Sequence, residues 1–215
     1  MLSRAELRTR VRDVTAGVVQ RSWAAFARAG AITPTNAWGR RFGEFGRASC
    51  IAFPTGAIFG EQWIRIGEET LIGPDVTLSA GMAPGQQMVT DPVVRIGNRC
   101  MIGRGSSIVG HLSIEIGDDI WTGPNVYVTD QNHVYTDVQL PIGRQWPVES
   151  AVRIGSGSWL GTGVVVLPGT TIGEHVVVAA GSVVRGQVPA RCVVAGSPAR
   201  VVRRYDDVSD TWVDA

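Results

Sequence analysis

Counting in steps of six from Ile154 lands on Ile154, Leu160, Val166, Ile172, Val178 and Val184, all aliphatic. The same step joins Ile66, Ile72 and Leu78, then Ile96, Ile102, Ile108 and Ile114, and a shifted register runs from Ile116 to Val128 with Thr122 as its one polar member. Gly follows the hexad residue at Gly67, Gly73, Gly97, Gly103, Gly117, Gly123, Gly155, Gly161 and Gly173. Side-chain alternation explains such a hexad: the aliphatic residue points inward, its neighbours point out, and the chain bends after each short strand. A second inward position falls four residues on, at Thr70, Val76, Cys100, Val164, Thr170, Val176, Ser182 and Val188, where small side chains fit the narrowing interior. Three such sides close a triangular coil, and coils stack through parallel hydrogen bonds with strands about 4.8 Å apart.

Upstream the period changes. From Ser3 to Gly30, Leu7, Val11, Val14, Val18 and Ala25 recur at threes and fours, with Arg4, Arg8, Arg12 and Arg21 largely elsewhere, which predicts an amphipathic helix that Gly30 can stop. The stretch 31–59 mixes Pro34, Gly39, Pro54 and Gly56 with Trp38, Phe42, Phe45 and Phe53, and reads as irregular chain packing aromatics against something larger. The expected organisation is a helical and irregular extension over 1–59, an all-β solenoid over 60–204 interrupted by loops at 79–93 and 129–152, and a tail over 205–215.

Composition sharpens this. The 215 residues include 27 Gly and 11 Pro, and 44% are hydrophobic, as short strands with frequent corners require. Twenty Lys plus Arg against nineteen Asp plus Glu leave a net charge of +1, without the basic excess that nucleic acid or anionic lipid demands. The opening Met1–Arg8 is charged where a signal peptide turns apolar, and no apolar run is long enough for a membrane span. Cys50, Cys100 and Cys192 are far apart and without a CxxC, so they are expected to be reduced thiols in a cytoplasmic protein.

The segments Ile154-Gly155-Ser156-Gly157-Ser158-Trp159-Leu160-Gly161, Val166-Leu167-Pro168-Gly169-Thr170-Thr171-Ile172-Gly173 and Ala195-Gly196-Ser197-Pro198-Ala199-Arg200 resemble the hexapeptide-repeat acyltransferases, and the likeness extends over about Ile64 to Arg204. The resemblance implies a left-handed parallel β-helix, although parallel crossovers in general are right-handed. It also implies a coenzyme A-dependent O- or N-acyltransferase, acetyl-CoA as cosubstrate, no metal, and a homotrimer with active sites between neighbouring prisms.

The longer interruption contains Thr129-Asp130-Gln131-Asn132-His133-Val134-Tyr135-Thr136-Asp137, an imidazole among polar groups directly after a strand. Imidazole can accept a proton near neutral pH, which is what an alcohol or amine needs lost when it attacks a thioester that is already activated. The Asn132-His133 segment is similar to that of the xenobiotic, maltose and galactoside acetyltransferases, where a His in this loop is the general base. By the same resemblance the amide of Thr162, after Trp159-Leu160-Gly161, contacts the thioester, and the groove for the carrier follows Gly161, Ala180 and Ser182. Arg185 and Arg200, in a basic cluster with Arg191, Arg203 and Arg204, are the expected phosphate contacts, although the family's Thr-Lys pair is here Arg185-Gly186. His111, Asn132, Tyr135 and Trp146 are candidates for the acceptor pocket, and His175 for a solvent-facing corner.

Two other readings stand beside this one. A γ-carbonic-anhydrase-like metal lyase shares the prism, but His111, His133 and His175 lack a close His pair. A non-catalytic β-helix scaffold would use the N-terminal helix to hold a partner. The acceptor's identity, a carbohydrate or another small molecule, is left open because loops choose it.

Overall fold

The computed structural model describes residues 4–215, the side chain of Leu7 excepted, so the Ser3 start expected for the helix lies outside the described residues. Helix α1 spans Arg4–Gly30. Beyond it the chain winds as a left-handed parallel β-helix whose three sides are sheets of seven, nine and six strands.

The hexad is the coil period. Ile154 pairs with Ile172 on the first side, Leu160 with Val178 on the second and Val166 with Val184 on the third, each eighteen residues apart. These six side chains are at most 2% exposed. Burying each contributes about 1.5–3 kcal/mol, and together with Ile51, Ile66, Ile72, Ile96 and Ile102 they form one continuous column. Thr122, the polar member, pairs with Leu160, and its hydroxyl accepts the Gly103 N–H at 2.8 Å. Cys100 is 2% exposed, and burial pushes its thiol pKa up, so it is core rather than nucleophile.

The structure departs from the expected organisation at three places. Glu44–Phe45, Cys50–Ile51 and Ile58–Phe59 already pair in parallel with Ile64–Ile66, Leu71–Ile72 and Thr77–Ala80, so the first coil lies inside 31–59. Its period was hidden because Phe42 and Phe45 pack against the core where later coils use Ile or Val, and Pro54 and Gly56 break the step. The second departure is at the other end, where Ala199–Asp206 and Thr211–Asp214 form an antiparallel hairpin on Cys192–Gly196. Residues 205–215 are therefore not a tail; they help cover the last open strand edge. The last coil is also two residues short, so Val188 pairs with Ile172 as a strand residue rather than filling a second inward position.

The third departure carries the chemistry. Between Ile108 and Ile116 the step to the next side is eight residues rather than six, with Ile114 in the second inward position. The lengthened corner holds His111.

Candidate active site

The excursion after Thr129 is folded rather than structureless. Gln131–Asn132 pairs antiparallel with Val148–Glu149, Gln131 opposite Glu149 and Asn132 opposite Val148. His133 follows the first strand, is exposed, and has its backbone N–H bound to Asn132 Oδ1 at 3.0 Å. It lines a cleft of 170 Å³ with Tyr127, Thr129, Pro147, Leu167 and Pro168. The Asn132 side chain thus fixes the backbone that carries the imidazole.

Behind this hairpin lies a network of buried polar groups. Asp130, with 0% exposure, accepts N–H groups from His111, Leu112 and Ser113 at 2.7 to 3.0 Å. Loss of water pushes its carboxyl pKa up, and the three donated N–H groups offset that only in part. His111 is 6% exposed; its Nδ1 meets Glu149 Oε1, and its Nε2 lies 3.0 Å from Gln86 Nε2. Gln86 Oε1 already accepts the Met82 N–H at 2.8 Å, so the Gln86 amide donates to His111 Nε2, and Nδ1–H points to Glu149. His111 was expected to face an acceptor, but both ring nitrogens are engaged. It braces the two excursions, at 79–93 and 129–152, to the lengthened corner through Gln86 and Glu149. The sequence reading missed Glu149 and Gln86, which are 38 and 25 residues from His111. Asp130 carried a local signal, an acid directly before the hairpin.

A second group of residues lies on another edge, between the second and third sides. Gly161 and Gly163 donate their N–H groups to the carbonyls of Val178 and Pro124 at 2.8 and 3.0 Å, whereas the N–H of Thr162 between them has no acceptor among the described residues. Ala180, one coil on, is in the same position between Ala179 and Gly181, which donate to Val194 and Thr162. The corners are tight: a Cβ at Gly161 would lie 2.6 Å from Ala180 N. In the coils above, the residue at the Thr162 position after Gly73 and Gly123 is Pro74 and Pro124, which have no N–H to offer. The donor is present where Arg104, Thr162 and Ala180 stand, and proline removes it one and three coils before Thr162 along this edge.

The remaining candidates are distributed unevenly. Trp159, 54% exposed, pairs with Trp121 on the outer face of the second side. The Ser182 side chain is fully buried, with Oγ accepting the Gly196 N–H at 3.1 Å, so it does not face the expected groove; the inward period decides its direction. Arg185 and Arg200 are exposed, while Arg191 and Arg203 are paired with Asp207 and Asp214. Tyr135 is 70% exposed, and Trp146 stands with its ring centroid 6.2 Å from that of His111. His175 is at a corner beside Trp212, at 6.5 Å. Among the described residues no three His, Cys, Asp or Glu side chains gather as a metal site.

His133 and Arg185 therefore mark the edge after the third side, and Gly161, Thr162 and Ala180 mark the edge before it. One side of the prism, on the order of 15 Å of strand and corner, separates them.

Residues 151–186 match the family profile described as bacterial transferase hexapeptide (six repeats), and residues 93–130 match the hexapeptide repeat of succinyl-transferase. A probable acetyltransferase of Mycobacterium tuberculosis is 41% identical over 142 residues, 66% of this chain and 42% of the relative, so the chain spans less than half of that relative's length. Galactoside O-acetyltransferase of Escherichia coli is 29% identical over 70% of this chain and 68% of the relative. Among solved structures, a hexapeptide-repeat-containing acetyltransferase of Vibrio cholerae, complexed with acetyl coenzyme A, is 28% identical with a TM-score of 0.53, covering 78% of this chain and 74% of that one.

Proposed function

Because the chain belongs to the hexapeptide-repeat acyltransferase superfamily, we propose that it transfers an acyl group, acetyl in the first instance, from a coenzyme A thioester to a hydroxyl or amine of a sugar, glycan intermediate or other small molecule. The observation that carries this reading is the pair of outward N–H donors at Thr162 and Ala180 on stacked corners. Preorganised donors of this kind stabilise charge as it develops on a thioester oxygen. The acetyl coenzyme A complex of the Vibrio relative supports the donor, and the galactoside specificity of the Escherichia relative supports a sugar hydroxyl as acceptor.

In this mechanism His133 takes the proton from the acceptor as its oxygen or nitrogen attacks the thioester carbon. The Thr162 N–H meets the negative charge on the carbonyl oxygen. The carbon–sulfur bond then breaks, and the proton held by His133 goes to the departing thiolate. Gly161 and Ala180 let the pantetheine arm approach the backbone, and Arg185 and Arg200 take the phosphates. Asn132, Tyr135 and Trp146 border the acceptor. The three free cysteines fit a cytoplasmic enzyme.

The reading places each site between copies of a homotrimer, the assembly the resemblance implies, because His133 and Thr162 stand on different edges and a neighbouring prism brings two such edges together. The outer surfaces support this. The first side presents Arg65, Arg95, Glu115 and Arg153, whereas the second presents Leu71, Met101, Trp121 and Trp159, with Trp121 55% exposed in the single chain. Such an apolar column is suited to burial between copies.

The test is thiol release from acetyl coenzyme A across a panel of acceptors. Release that depends on an acceptor and falls about 10²- to 10⁴-fold in His133→Ala, with unchanged melting, is expected. Release that His133→Ala leaves intact would refute the assignment.

A further inference from the structure

Helix α1 is the long element that the β-helix does not use. Among its described residues only Gly17, Ala24, Ala27 and Gly30 are partly buried, and its root is held by Trp23 against Phe53, with ring centroids 6.4 Å apart. At 3.6 residues per turn Val11, Val14, Val18, Ala25 and Ala29 share an arc of about 60°. Val11, Val14 and Val18 are 59%, 65% and 50% exposed. Ala24 and Ala27 project from the opposite half of the helix, so the valine stripe faces away from the prism.

Charge is arranged around that stripe. Arg10, Arg21 and Arg28 flank it on one side and Arg4 and Arg8 on the other, while Glu6, Asp13 and Arg12 lie farther round the helix. Arg4, Arg8, Arg10, Arg12, Arg21 and Arg28 against Glu6 and Asp13 give the helix +4, and the chain's total of +1 leaves −3 for the remainder. The near-neutral total, which argued against anionic lipid, conceals this segregation.

A second copy of α1 is a poor match for the stripe. Continuing the valine spacing by alternating threes and fours puts Arg21 and Arg28 into the seam, and Arg8 and Arg10 beside it face no acidic counterpart in a second copy. An anionic bilayer surface accommodates both features: valines enter the boundary between headgroups and acyl chains, and flanking guanidinium groups reach up to phosphates. No helix among the described residues is long and apolar enough to cross a membrane, which leaves α1 lying in the plane of the surface. We propose that α1 is a peripheral anchor for an anionic lipid surface, holding the β-helix beside the bilayer. The inference is independent of the acyl-transfer reading.

The test is flotation of the full chain with phosphatidylcholine vesicles, with and without phosphatidylglycerol, at low and high salt. Binding is expected only with phosphatidylglycerol, weakened by salt, and reduced at least about tenfold in Val14→Asp/Val18→Asp and in Arg10→Gln/Arg21→Gln, both melting like the parent. No flotation, equal flotation on neutral vesicles, or parental flotation of Val14→Asp/Val18→Asp would overturn the proposal. A change of sedimentation mass in that variant without a change in flotation would overturn it too, and would assign the stripe to a second copy.

Discussion

The carboxylate of Asp130 holds the backbone N–H of His111 with both oxygens, at 2.8 and 3.0 Å, across nineteen residues of chain. The same carboxylate takes the next two N–H groups, so one buried acid organises the corner that is two residues longer than the hexad and carries an imidazole. The base of the hairpin that carries His133 and the lengthened corner are thereby one unit.

Removing that acid should be expensive. Asp130→Ala leaves three N–H groups without their acceptor, and at about 1–3 kcal/mol for each unsatisfied buried donor the loss should be at least about 3 kcal/mol in urea unfolding. The pH dependence has a definite sign. The folded-state pKa lies above the unfolded one, so the fold takes up a proton that the unfolded chain releases. This contribution to stability is fully present below the unfolded pKa and is lost as pH rises through the folded pKa. The advantage of the parent over Asp130→Asn should therefore shrink with rising pH through that window; an advantage that grows would contradict the raised pKa.

Glu149 holds His111 Nδ1, and if His133 serves the proposed site Glu149 is a positioning residue for it. Glu149→Ala should free Nδ1–H, loosen the hairpin that carries His133, and raise KM for the acceptor about tenfold while leaving KM for acetyl coenzyme A alone. Glu149→Gln, which keeps an acceptor oxygen, should recover most of the loss. Equal effects of the two substitutions would point to charge rather than position.

Thr162→Pro tests the donor with little disturbance of the fold, because Pro74 and Pro124 already occupy the equivalent corner position in this chain. The lost N–H has no acceptor among the described residues, so no ladder bond is sacrificed. Turnover should fall about 10²- to 10³-fold with melting unchanged. A Thr162→Pro protein of full activity would remove the amide from the mechanism.

The contrast between Thr162 and those prolines shows what the sequence contained and what it withheld. The aliphatic hexad was legible because one inward position repeats every six residues, and His133 stood out as a candidate because it lies within the period's longest interruption. The equivalence of Pro74, Pro124 and Thr162 was also present in the letters, but it has meaning only once the corners are stacked. His111 was misread because its partners Gln86 and Glu149 sit on the two excursions, where no period relates sequence to direction. Ser182 was misassigned for the opposite reason: its inward register was readable, and only the likeness to a groove spoke against it. The coil over 44–59 escaped because Phe45 stands where later coils have Ile, and the step from Ile51 to Ile58 is seven residues rather than six.

The separation of His133 from Thr162 leads to a prediction that neither residue alone can make. If each site joins His133 of one copy to Thr162 of its neighbour, His133→Ala and Thr162→Pro chains are each inactive alone but complementary when mixed. In a trimer assembled at random from equal amounts, a working site needs the Thr162→Pro chain on the histidine side and the His133→Ala chain on the amide side. Each condition holds for half the copies, so activity should return to about a quarter of the parental value. Unfolding and refolding the two variants together, with sedimentation to confirm the trimer, provides the measurement. If the mixed trimers form and activity stays at the level of the separate variants, the two residues serve a site within one chain, and the prism edges must approach each other in some way this structure does not provide.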